Sequence, residues 1–138
     1  TYSSLLARTG EALVSRIMQE FLVKARGGTD DTGDRWAPLK PATIARKKRK
    51  SSPYSNDILR DTGLLYDTLR IIDTKPGTIT VGTDAKYAVH HHYGTRNMPQ
   101  RRLWPAVSSW TDSWWNVLLE QLQQGAMEVA IQPVREVR

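Results

Sequence analysis

Apolar residues recur through the first part of the chain with a helical period. Leu6, Leu13, Val14, Ile17, Met18 and Phe21 stand three, four or seven positions apart, the spacing that aligns side chains on one helix face. This predicts an amphipathic helix over residues 3–26, ended by Gly27-Gly28. At 1.5 Å per residue it is about 36 Å long, long for a small domain. Residues 27–35 are polar and read as a loop. Trp36-Ala-Pro-Leu39 reads as a short extended anchor, because a residue before proline avoids the helical region. Pro41 suits the first turn of a short helix running through Thr43, Ile44 and Lys47.

After a loop at residues 50–56, Asp57 to Arg70 predicts a second amphipathic helix, starting between Asp57 and Thr62. Leu64, Leu65 and Leu69 form its apolar face, and Gly63 weakens its first turn. The pattern then switches to alternation. Ile71 to Lys75, Pro76-Gly77, and Thr78 to Gly82 read as a β-hairpin with a Pro-Gly turn. Ile79 and Val81 fall on one face. Residues 85–93 predict a short helix, 94–100 a loop and 101–104 a short extended piece.

A last helix is expected from a cap at Ser108 or Ser109 to about Gln124, stopped by Gly125. Trp110, Trp114, Val117 and Leu118 make one apolar stripe, and Trp115, Leu119 and Leu122 a neighbouring one. Together they are wider than the one-sided pattern of a surface helix, so a second subunit is expected to cover the surplus. Residues 126–138 alternate weakly and read as a tail or arm after a single domain over 1–125. Such a tail, if ordered, needs neighbours to hold it. The fold class expected is α+β: a long N-terminal helix and a small antiparallel sheet at about 71–82, packed against two or three further helices.

The length of 138 residues fits one domain, large enough to bury about two-thirds of its unfolded surface. The absence of cysteine removes disulfides, thiolate metal sites and cysteine nucleophiles, and fits assembly in a reducing cytoplasm. No apolar run approaches the ~18 residues that cross a bilayer, so no membrane association is expected. Arg8, Glu11, Arg16 and Glu20 interrupt any signal-peptide core. The chain opens at Thr1, which reads as loss of the initiator or trimming. Net charge is +6, and from Arg35 to Asn56 there are seven basic residues and no acid. Such an excess favours polyanions or acidic protein surfaces.

No catalytic kit accompanies these elements. His90-His91-His92 is the most tempting metal candidate, but adjacent residues point in different directions. Packing or interface roles are the default reading. There is no GxSxG elbow, no glycine-rich phosphate loop and no DxDxDG calcium loop. No enzyme activity, metal or cofactor is expected. Arg46-Lys47-Lys48-Arg49-Lys50 is the strongest charge run. It is a candidate contact with DNA phosphates or with an acidic neighbour, and has no interleaved aromatics for base stacking. Trp110, Trp114, Trp115 and Leu119 are the candidate subunit interface.

Four segments in order resemble the phage virion morphogenesis family, the tail-completion or neck proteins with Mu-like and P2-like members. They are Trp36-Ala-Pro38-Leu39 through Thr43; Ile58-Leu59 through Thr62-Gly63-Leu64-Leu65; Ile79 through Tyr87-Ala88 to His91-His92-Tyr93-Gly94; and Met98-Pro99-Gln-Arg101-Arg-Leu103. The resemblance covers residues 36–122. It departs at Leu103-Trp104-Pro105, where the family pattern has a glycine. It implies structural roles for Trp36, Pro38, Leu39, Thr62, Gly63, Tyr87, Ala88, His91, Gly94 and Arg101.

The resemblance also implies a non-catalytic, tail terminator-like subunit of a ring, six or twelve copies, at the head–tail junction of the virion. Its expected partners are further copies of itself, other neck, connector and tail-tube proteins, and genomic DNA passing without sequence specificity. Two other readings stand beside it: a free nucleic-acid-binding module driven by residues 46–50, and a metal enzyme built on His90 to His92.

Overall fold

The structure is a computed structural model that describes residues 2–131, and the side chains of residues 4–124. The fold is α+β, as the pattern predicts. Helix α1 spans Tyr2–Ala25, α2 Pro41–Arg49 and α3 Leu64–Asp67. Strands β1 (Arg70–Lys75) and β2 (Thr78–Gly82) follow, then α4 (Ala88–Tyr93), a 3₁₀ turn at Val107–Ser109, and α5 (Asp112–Ile131). Helix α1 is the axis of the molecule, and the hairpin and α5 both pack on it.

Helix α1 ends one residue from its expected stop. Gly27 has φ 85°, and the Gly27 and Gly28 N–H groups donate to Lys24 O and Val23 O at 3.0 and 2.9 Å. This pair of bonds is a Schellman motif, whose left-handed position favours glycine. Helix α2 begins with Pro41 at its first turn, after extended Lys40. β1 and β2 pair antiparallel, with Ile71 opposite Val81 and a bulge between Ile71 and Asp73. The bulge follows from one extra residue on β1. Ile79 and Val81 are half-buried while their strand neighbours Thr78 and Thr80 are exposed. The hairpin approaches α1 at Gly10, where a Cβ would lie 2.5 Å from Ile79 Cδ1 and 3.0 Å from Ile71 Cδ1.

The core gathers Ile17, Phe21, Ala25, Trp36, Ile58, Leu65, Leu69, Ala88, Leu103 and Trp114. Phe21 meets the Trp36 ring edge-on at 4.9 Å, a favoured aromatic geometry.

Three expectations need correction. The helix expected from Asp57 onward is only Leu64–Asp67. The backbone before it carries Leu59 at φ 59° and Gly63 at φ 89°. The Lys47 ammonium takes the Asp57 and Arg60 carbonyls at 2.7 Å each, and Ser52 Oγ takes the Asp61 carbonyl at 2.8 Å. Those side chains replace the helical ladder. The last helix starts at Asp112 rather than near Ser109, and runs through Gly125 to Ile131 instead of stopping there. A lone glycine weakens a helix by only about 1 kcal/mol and does not end it. Residues 101–104, the expected short extended piece, lie outside any helix or strand. Residues 132–138 of the expected tail lie outside the described residues.

Candidate interaction surfaces

At one end of α1 a charged network is enclosed. Lys24 is fully buried, and its ammonium lies 3.3 Å from Asp34 Oδ2 and 3.6 Å from Asp30 Oδ2. It donates to the Arg102 carbonyl at 2.9 Å and stands 5.1 Å from the centre of the Trp36 ring. The Trp36 indole N–H donates to the same carbonyl at 2.8 Å. Asp30 Oδ1 accepts from the N–H groups of Thr32 and Asp34, which shapes the 30–34 turn. A buried lysine needs such partners, since an unpaired internal charge is costly. Here the extended segment 101–104 is held by side chains rather than by a sheet.

A second cluster ties α5 to α1. Asp31 accepts from the Trp114 indole N–H at 2.8 Å, the Thr111 hydroxyl at 2.9 Å and the Arg16 guanidinium at 2.8 Å. Burial pushes the Asp31 carboxyl upward, but side-chain hydrogen bonding by Thr111, Trp114 and Ser113 and the Arg16 charge outweigh it and hold the group below its ordinary range. Trp114 is 1% exposed and stacks on Trp110 with ring centres 5.6 Å apart. Trp114 is therefore core and is not free for a subunit interface, and Trp110 is half-buried beside it. Trp115 and Leu119 do face outward, at 41% and 49% exposed, joined by Leu122 at 51%.

The basic run divides in the same way. Lys47 is 4% exposed and is held by its two carbonyls. Burial lowers its pKa against the opposing pull of Asp61 and Asp57. It cannot reach DNA or a neighbour. Lys50 pairs with Asp61 at 2.6 Å, whose carboxyl sits below its ordinary range through that contact and the Ser52 hydrogen bond. Arg46, Lys48 and Arg49 remain exposed, with no ion pair among the described residues.

The three histidines separate. His90 is exposed. His91 is half-buried at a cleft. His92 lies against Trp104, with ring centres 5.0 Å apart, and its Nδ1 accepts the Leu103 N–H at 3.1 Å. Burial, with Arg102 and Lys24 nearby, lowers the His92 pKa. Among the described residues no group of three or more metal-ligating side chains is close enough to hold an ion.

The segments that carry the family resemblance converge on one cleft of about 700 Å³. Pro38 and Leu39, Thr62 and Gly63, Tyr87 and His91, and Arg101 line it together. Arg101 fastens two of these segments: its guanidinium donates to Ala37 O at 3.0 and 2.9 Å and to Pro38 O at 3.3 Å, while its N–H donates to His91 O at 2.8 Å. Trp36 and Ala88 are in the core behind the cleft. Gly94 turns the chain beside Gln100, where a Cβ would meet backbone at 3.0 Å. Sequence reading missed Lys24, Asp31 and Arg60. The signal for Lys24 is its phase, three positions after Phe21 and seven after Ile17 on the buried face of α1. Asp31 and Arg60 carry no periodic signal, since each acts from a loop.

The described residues thus hold fixed internal polar networks together with outward apolar and basic faces. The chain belongs to the phage virion morphogenesis family, whose pattern matches residues 2–128. That family is one of virion structural and assembly proteins rather than enzymes, and it gives this chain a virion structural or assembly role. No curated protein matches the chain, and no solved structure does. No helix among the described residues is long and apolar enough to cross a membrane.

Proposed function

We propose that this chain is a tail-completion, tail terminator-like subunit that forms a ring around the DNA channel where head and tail join. The observation that carries this reading is the outward stripe Trp115, Leu119 and Leu122 on α5. It is separate from the Trp114 face that α1 and Asp31 occupy. Contiguous exposed apolar groups with an aromatic anchor are characteristic of contact sites. A ring closes through two different faces of each copy, so this stripe needs a distinct complementary face on the next subunit. The exposed Arg46, Lys48 and Arg49 belong toward the DNA channel or an acidic neighbouring protein, without base readout. The chain performs no catalysis.

Light scattering after size exclusion tests the ring in solution. The expected species has six or twelve times the 15.7 kDa protomer mass. If assembly needs the particle as template, the protomer is monomeric alone, and electron microscopy of particles shows it as a closed ring at the neck. A chain that is monomeric in solution and missing from the neck overturns the proposal. A free nucleic-acid module is the weaker reading, because Lys47 and Lys50 are already engaged. It predicts salt-sensitive DNA affinity lost in an Arg46→Glu, Lys48→Glu, Arg49→Glu variant.

A further inference from the structure

The cleft where the family-like segments meet has a composition that the ring contacts of α5 do not use. Its lining holds five cationic side chains, Lys40, Arg46, Lys47, Arg60 and Arg101, against one carboxylate, Asp61. That carboxylate is already paired with Lys50. Lys40, Arg46 and Arg101 have no carboxylate within ion-pair distance among the described residues. Arg101 is half-buried and bonded only to carbonyls. Arg60 stacks over Tyr54 at 3.8 Å and Tyr66 at 4.9 Å and is paired with Asp57 at 3.7 Å, so the uncompensated charge of the cleft is that of Lys40, Arg46 and Arg101.

Two buried polar atoms on cleft residues, Arg60 Nε and His91 Nδ1, have no hydrogen-bond partner among the described residues. Buried polar atoms are nearly always paired, and these two, with almost no accessible surface, are reached only if the cleft wall shifts. Between the charges the surface is apolar, with Leu39, Leu59, Leu64, Met98 and Pro99 in the lining.

We infer that this cleft is a docking site for an acidic segment of a neighbouring virion protein, whose carboxylates meet Lys40, Arg46 and Arg101 and whose apolar side chain fills the Leu39–Leu59–Met98 floor. The inference rests on the virion role proposed above and assigns a second contact surface to it. Charge complementarity selects an acidic occupant. The apolar floor selects peptide over DNA, whose phosphate backbone has nothing to place against leucine and methionine. A small anion would leave most of about 700 Å³ empty. The arrangement joins an apolar anchor pocket to charges at its rim, as interface hot spots do.

The test is photo-crosslinking inside assembled particles. A benzophenone amino acid replaces Asn97, an exposed cleft residue, and in a parallel phage it replaces Trp115. The expected result is a crosslink from position 97 to a stretch of another virion protein rich in Asp and Glu. Its yield should fall at least tenfold in a Lys40→Glu, Arg46→Glu variant. Both residues are exposed and have no ion pair among the described residues, so the fold is expected to survive. Replacing the partner's acids by lysine should restore the yield. A crosslink to DNA, to a segment without negative charge, or to nothing while position 115 links neighbouring copies overturns the inference and leaves the ring reading intact. Absence of the chain from particles overturns both.

Discussion

The two sides of α5 bear neighbouring tryptophans with opposite fates. Trp114 turns inward, 1% exposed and bonded through its indole N–H to Asp31. Trp115 turns outward beside Leu119 and Leu122. Helix α2 repeats the contrast with lysines: Lys47 is buried on two carbonyls, and Lys48 next to it is exposed. One residue step on a helix is about 100° of rotation. It separates a group that holds this fold together from a group left for another molecule. Residue type does not distinguish the two; direction does.

The largest expected break is on the inner side. Trp114→Ala should cost about 3–5 kcal/mol, from lost packing and an unfilled cavity, read as a shifted urea midpoint. Lys24→Met comes next, at about 3 kcal/mol, because it leaves Asp30 buried without its cation. Asp30→Asn together with Lys24→Met should recover part of that loss, and a double variant no better than the single would contradict the pairing. Lys47→Met should cost about 1–3 kcal/mol by leaving the Asp57 and Arg60 carbonyls unsatisfied. Lys48→Met should stay within about 0.5 kcal/mol. Equal costs at the two positions would erase the contrast on α2.

Acid should act through His92. Its folded pKa is lowered from the ordinary 6.5, so the unfolded chain takes up the proton first. The neutral form accepts the Leu103 N–H in the fold. Stability is full above about 6.5 and falls as pH drops through that value toward the lower folded pKa. His91 shifts the same way, so His92→Gln should flatten the loss of melting temperature between pH 7.5 and 5 without abolishing it. The smallest stability change is expected outside. Leu119→Ser with Leu122→Ser should leave the urea midpoint nearly unchanged, within about 0.5 kcal/mol per site, while removing assembly in light scattering or incorporation into particles.

Elements with a local repeat were legible along the chain. Helix α1, the hairpin and α4 appear within about three residues of their expected bounds, because period and turn residues act over short range. Residues 57–63 misled the pattern. Their apolar spacing looks helical, but Lys47 and Ser52, nine to thirteen residues away in sequence, claim the carbonyls that a helix would use. The candidate surfaces were half legible. Surplus apolar width on α5 pointed to an outer face, yet the candidate interface set of Trp110, Trp114, Trp115 and Leu119 included Trp114, which Asp31 and Arg16 draw into the core. The charge run was visible as a run; that Lys47 leaves it was not.

By itself, then, the sequence determined the class of fold, the order of its elements, the lack of cysteine chemistry and the resemblance that the family match over residues 2–128 bears out. Those follow from local periodicity, composition and short motifs. Only the tertiary structure decided which of two adjacent tryptophans or lysines is internal, and it alone brought Pro38, Thr62, His91 and Arg101 to one cleft. The reason is physical: a hydrogen bond between residues 31 and 114 or 37 and 101 depends on chain closure over long distances, and no periodic pattern in either segment encodes its partner.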